Sequence, residues 1–159
     1  MNGLASAPHK ADAVRPAHLR TRIYLDYDGT VGRLPYPENG DCLEHLSSLQ
    51  AILRSFPRVD VVISSSWRHT RSLEQLRQLY DEDLRNRIIG STPWLLGKKR
   101  VVEIRAHRRE TGHTGRFLVL DDIPGEFPRH WPPLLLCDSA AGLNKVKQVE
   151  LVARLQLLP

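Results

Sequence analysis

Cysteine is scarce in this chain. Cys42 and Cys137 are the two in 159 residues, far apart in sequence. Such a pair makes neither a disulfide framework nor a Cys-x-x-Cys metal site, and it favours a reducing compartment. Long hydrophobic runs are missing as well. No stretch approaches the ~20 apolar residues that a membrane-spanning helix requires. The opening Met1-Asn2-Gly3-Leu4-Ala5 lacks the apolar core of a secretory signal. A cytoplasmic, soluble protein without membrane contact is therefore expected. There is no internal repeat or low-complexity segment. The seven histidines show no metal-ligand spacing, and His69 is the one placed to meet a substrate, just after a Ser-Trp-Arg turn.

An acidic excess is also absent. Lys plus Arg is 23 against 18 for Asp plus Glu, a formal net charge of +5. That balance suits an anionic partner or substrate, nucleic acid included, and equally a soluble surface. The basic residues Lys98-Lys99-Arg100, Arg105, His107-Arg108-Arg109 and His113 are concentrated between positions 98 and 113. With 41% hydrophobic and 26% charged residues, the composition is that of a globular protein. The length suits one domain with a real core. Residues 1–20 carry Ala, Pro, His and Arg without periodicity and are expected to be a loose tail; residues 21–159 form the domain.

What the chain does contain is two carboxylates where a strand should end. The apolar run Arg22-Ile23-Tyr24-Leu25 leads into Asp26-Tyr27-Asp28-Gly29-Thr30. Held about 4 Å apart at an effective dielectric near 20, two such charges repel by roughly 4 kcal/mol. A hard divalent cation with oxygen ligands offsets that repulsion. One carboxylate can then attack phosphorus while the other handles a proton. As a plain alternative, Asp28-Gly29 is a surface turn.

Further strands are expected over Val59–Ile63, Arg87–Gly90, Phe117–Leu120 and Leu134–Cys137. Between them lie four helices. The first starts at a capping box, Asp41 with Glu44, presents Leu43, Leu46, Leu49, Ile52 and Leu53, and stops at Pro57. The second spans about 70–80, with Leu73, Leu76 and Leu79 or Tyr80 inward. The third spans 98–109, with Val101, Val102 and Ile104 as its apolar side, and the last runs from Leu143 to Leu155. Short, wholly apolar strands alternating with helices describe an α/β fold: a three-layer, Rossmann-like parallel sheet of about five strands with helices on both faces. Ligands bind such sheets at the strands' carboxyl ends. Asp26, Ser64 and Asp121, each closing a predicted strand, should therefore meet in one crevice.

In chain order the sequence presents Asp26 and Asp28, then Ser64, a basic residue at 98–100, and Asp121-Asp122. This set resembles the four motifs of the haloacid dehalogenase (HAD) superfamily, beginning with its Asp-x-Asp-x-Thr, over about residues 22–145. The run Ser64-Ser65-Ser66-Trp67-Arg68 and Gly142-Leu143 resemble, more narrowly, small bacterial HAD domains of RNA-repair proteins. The resemblance implies a phosphatase in which Asp26 is the nucleophile and Asp28 the acid and base. Mg²⁺ would be held by Asp26, the Asp28 carbonyl, Asp121 and, through water, Asp122. It further implies a phosphate contact from Ser64, with Ser65 the close alternative. Lys98, Lys99 and Arg100 compete for the basic motif. Arg100 is favoured because Val101-Val102-Glu103-Ile104 resembles the helix that follows it in small members. Ser65, Arg68 and Lys99 are candidate substrate contacts, though Arg68 suits pairing with an acid equally well. Trp67 either stacks on a base or packs beside the site.

Larger members carry a cap domain after the first or third motif. Residues 29–63 and 101–120 are used up by loop, helix and strand, so none fits here. An open site is expected to act on large phosphorylated substrates, with nucleic acid ends or proteins the candidates. Two other readings remain: a nucleic-acid-binding module with little catalysis, and an accessory domain that works beside a partner. Oligomeric state is left open.

Overall fold

Five runs of β-branched and leucine residues set the frame of the computed structural model, which describes residues 16–38 and 40–157. The strands are β1 (Thr21–Leu25), β2 (Val59–Ile63), β3 (Ile88–Ser91), β4 (Phe117–Asp121) and β5 (Leu134–Leu136). All pair in parallel, in the order β3-β2-β1-β4-β5. The helices are α1 (Leu46–Ser55), α2 (Leu73–Arg77), α3 (Glu82–Arg85), α4 (Arg100–Glu110) and α5 (Lys145–Gln156). This is a Rossmann-like α/β fold, and the segments that could carry a cap hold only these elements and their loops.

Side chains alternate across a strand, and β1 sorts the two layers accordingly. Ile23 and Leu25 face a core shared with Leu49 and Leu53 of α1, Leu76 of α2, Leu84 of α3 and Leu151 of α5. Tyr24 faces the other way, into a smaller core with Val62, Val119, Phe127 and Val101 and Ile104 of α4. Burying one such Leu or Ile side chain stabilises the fold by about 1.5–3 kcal/mol. The central strand is thus covered on both faces, which is why it reads as an uninterrupted apolar run.

Several expected boundaries shift. Asp41 does not open α1. Its carboxylate accepts the Leu43 N–H at 3.1 Å in a local turn, and the helix begins at Leu46 without a side-chain cap. The helix expected over 70–80 is shortened to α2, which Ser72 and Gln75 start with a reciprocal capping box, and a 3₁₀ turn at Ser66–His69 precedes it. α3 was not foreseen. In α4, Val102 is 38% exposed, and Glu103, Ala106 and His107 complete the buried side with Val101 and Ile104. Asn144 caps α5 by accepting the Lys147 N–H. Residues 1–15 of the expected tail lie outside the described residues. Residues 17–20 join the fold: Arg20 pairs with buried Asp60 of β2 at 2.8 Å, and the His18 carbonyl accepts the Thr114 and Gly115 N–H groups.

Candidate active site

Asp26 follows β1 directly, and its N–H still bonds the Leu120 carbonyl at 3.0 Å. The ladder therefore delivers its carboxylate beside Asp121, the last residue of the adjacent β4. After Asp26 the chain turns tightly, with the Thr30 and Gly32 N–H groups both bonding the Tyr27 carbonyl. Gly29 stands at φ +72° in this turn, and a Cβ there would lie 2.0 Å from Oδ2 of Asp122. Only glycine lets the loop come this close to the acidic pair.

Asp26, Asp121 and Asp122 each place a carboxylate oxygen within 4.8 Å of the others. Asp121 accepts the Ile123 N–H at 2.9 Å, and Asp122 accepts the Ser139 hydroxyl at 2.6 Å. The other Asp122 oxygen is buried without a partner. Burial is the main force raising Asp26, which is pushed up to about 7; Arg100 pulls it down, while Asp121 and Asp122 add to the rise. Burial likewise raises Asp121, against Arg100. Three close carboxylates, two of them buried and one with an unused oxygen, have the chemistry of a hard-cation site. The carboxylate of Asp28 stands outside this trio.

Arg100 supplies the countercharge. Its Nη1 donates to Asp121 and lies 3.3 Å from Asp26. It reaches them from the first residue of α4, where its N–H donates to Glu126 at 2.7 Å. Lys98 and Lys99, its competitors, are exposed. The structure thus places the arginine of the three against the acidic cluster.

The loop after β2 separates the two serines. Ser65 caps the 3₁₀ turn by accepting the Trp67 N–H. The Ser64 hydroxyl is buried and unpartnered, as are those of Thr30 and Thr92. With Asp122, four of the five buried unpartnered atoms among the described residues lie past the carboxyl ends of strands. Leaving such a group unmatched costs about 1–3 kcal/mol, and these atoms collect at one edge of the sheet. Arg68 is engaged with protein: it donates to the carbonyls of Ser64, Ser65 and Thr92, and to Glu103 at 2.6 Å. That buried ion pair clamps the Ser64 loop to α4.

Trp67 packs against Tyr27, with ring centroids 5.0 Å apart, and its Nε1–H donates to Asp28 at 2.9 Å. The Tyr36 hydroxyl donates to the same oxygen. Reasoning from sequence placed Trp67 beside the site without its bond to Asp28, and missed Tyr36, Glu103 and Ser139. A Trp three residues past the Ser64 position was the one available signal.

A strand-end acidic trio faced by one arginine, on an uncapped parallel sheet, defines a HAD-type hydrolase scaffold. The chain belongs to the HAD domains of Swiss Army Knife RNA repair proteins, whose family model matches residues 22–147. Comparison with curated proteins and with solved structures gives no significant match. HAD domains generally use a divalent metal, and an acidic cluster is present here. Among the described residues, no helix is long and apolar enough to cross a membrane.

Proposed function

We propose that this chain is a Mg²⁺-dependent phosphomonoesterase that works through an aspartyl-phosphate and takes its phosphate from the end of a nucleic acid strand. The observation that carries the reading is the meeting of Asp26, Asp121 and Asp122 within 4.8 Å, with Arg100 laid against two of them.

Asp26, Asp121 and Asp122 would hold the cation, which when bound screens the repulsion between a carboxylate and a phosphate. An oxygen of Asp26 forms a bond to phosphorus as the bond from phosphorus to the leaving oxygen breaks. Asp28 gives that oxygen its proton. Water then attacks phosphorus, Asp28 takes the water's proton, and Asp26 departs as a carboxylate with inorganic phosphate released. Trp67 and Tyr36, both donating to one oxygen of Asp28, orient the acid and leave its second oxygen for the proton. Ser64 supplies a hydroxyl for a phosphoryl oxygen, and Arg100 neutralises charge that builds there. Lys99, exposed beside Arg100, is available to the strand's other phosphates.

The test is phosphate release from p-nitrophenyl phosphate with and without Mg²⁺, for the parent and Asp26→Asn. Release should require the cation and fall about a thousandfold or more in the variant, with the circular dichroism spectrum kept. Undiminished release by Asp26→Asn would overturn the reading.

A further inference from the structure

An exposed aromatic pair lines a cavity that Arg100 lines as well. Trp94, on the loop between β3 and α4, is 63% exposed. One of its faces is stacked on His69 at 4.3 Å between centroids and 21° between planes. The loop is held in place: the Leu95 N–H donates to Glu103 at 2.9 Å, and the Thr92 N–H to the Ile63 carbonyl. Before the pair lies a cavity of about 180 Å³, with Ser66, Arg68, His69, Trp94, Lys98 and Arg100 among its walls. Arg100 therefore belongs to this cavity and to the acidic centre at once.

The exposed cations near the pair are Lys98, which lines the cavity, and its neighbour Lys99, while Arg68 is paired with Glu103 and Arg100 with Asp26 and Asp121. Two carboxylates line the cavity, and both are engaged: Glu103 by Arg68 and the Leu95 N–H, Glu126 by the Arg100 N–H. Lys98 and Lys99 are exposed and form no ion pair among the described residues. A flat, pre-stacked aromatic surface beside exposed cations matches a ligand that repeats a planar ring and an anion at each step. A nucleic acid strand has that chemistry, whereas a phosphopeptide offers a ring only where its sequence supplies one.

We infer that Trp94 and His69 form the stacking platform for a base of a single-stranded nucleic acid, with Lys98 and Lys99 on its phosphodiester, while the strand's end phosphate sits at Asp26. This rests on the phosphohydrolase reading for the placement of the end phosphate. A base so stacked also covers the cavity that Arg100 lines.

Binding is measured by fluorescence anisotropy at low salt with short, end-phosphorylated, fluorescein-labelled RNA and DNA strands. The protein carries Asp26→Asn throughout so that the probe is not consumed. One base–aromatic stack is worth about 1–3 kcal/mol. Adding Trp94→Ala should therefore weaken binding about 5- to 150-fold, and adding Trp94→Phe should keep most of it. A strand of equal charge with abasic sites should bind Trp94→Ala and its parent alike. Equal affinity for the base-bearing strand with and without Trp94 would overturn the inference. So would a phosphopeptide of matched charge that binds as tightly and depends on Trp94 as much. Phosphate release by the unmutated chain is scored separately. If it fails while Trp94-dependent strand binding persists, the phosphatase reading falls and the platform stands.

Discussion

An alanine at position 29 would press its Cβ against Asp122 from 2.0 Å away, on backbone held at φ +72°. Gly112 offers the matched comparison, with φ +58° and nothing within 4 Å of the added carbon. Both substitutions carry the left-handed backbone penalty of about 1–2 kcal/mol. Gly29→Ala alone displaces a carboxylate of the acidic trio. Titration calorimetry with Mg²⁺ should therefore show affinity reduced about 10- to 100-fold in Gly29→Ala and unchanged in Gly112→Ala. Both variants should lose stability in urea, Gly29→Ala the more, because its added carbon also meets Asp122. Equal Mg²⁺ affinity in the two would show that Asp122 yields without consequence. The tight turn at Asp28-Gly29 is visible in the sequence, but its approach to Asp122 is not, because only the sheet brings residues so far apart together.

At the scale of elements, α4 shows where a sequence pattern speaks and where it falls silent. Val101 and Ile104 announce a helix, yet the polar half of its buried side needs partners from other elements. His107 bonds Tyr24 of β1 at 3.0 Å, and Glu103 holds Arg68. Burial, with Arg22 and His113 adding, lowers His107 from 6.5 to about 4. The folded chain thus binds fewer protons than the unfolded one between those values. Stability from this group is complete above pH 6.5 and is lost as pH falls toward 4, by about 3 kcal/mol. Denaturant melts across that window should show a shallower acid loss in His107→Gln than in the parent. Parallel slopes would remove His107 from the account. The inner strands β1, β2 and β4, buried on both faces, were legible because their pattern needs no partner to be read. The start of α1 was not, because Asp41 serves a turn of its own rather than a cap. The donors Trp67 and Tyr36 converge on Asp28 from different loops, a meeting that no local spacing records.

For the whole molecule, the acidic trio places mutual repulsion at the carboxyl ends of β1 and β4, with one arginine against it. A cation bound only by the folded state adds about 2.7 kcal/mol at a hundred times its Kd. For a domain of this size that is a rise in Tm of roughly 5–10 °C. Thermal scans should show such a rise with Mg²⁺, its reversal by a chelator, and its absence in Asp121→Asn. An equal rise in Asp121→Asn would place the cation elsewhere. The strand order has a bearing on how the molecule is made. β1 lies between β2 and β4 in the sheet, yet β4 is synthesised long after both. On the ribosome, β1 keeps one open edge, and Asp26 lacks its acidic neighbours, until Asp121 and Asp122 have emerged. A chain interrupted before that point has Asp26 without its acidic partners, so under the proposed phosphohydrolase reading incomplete products should release no phosphate.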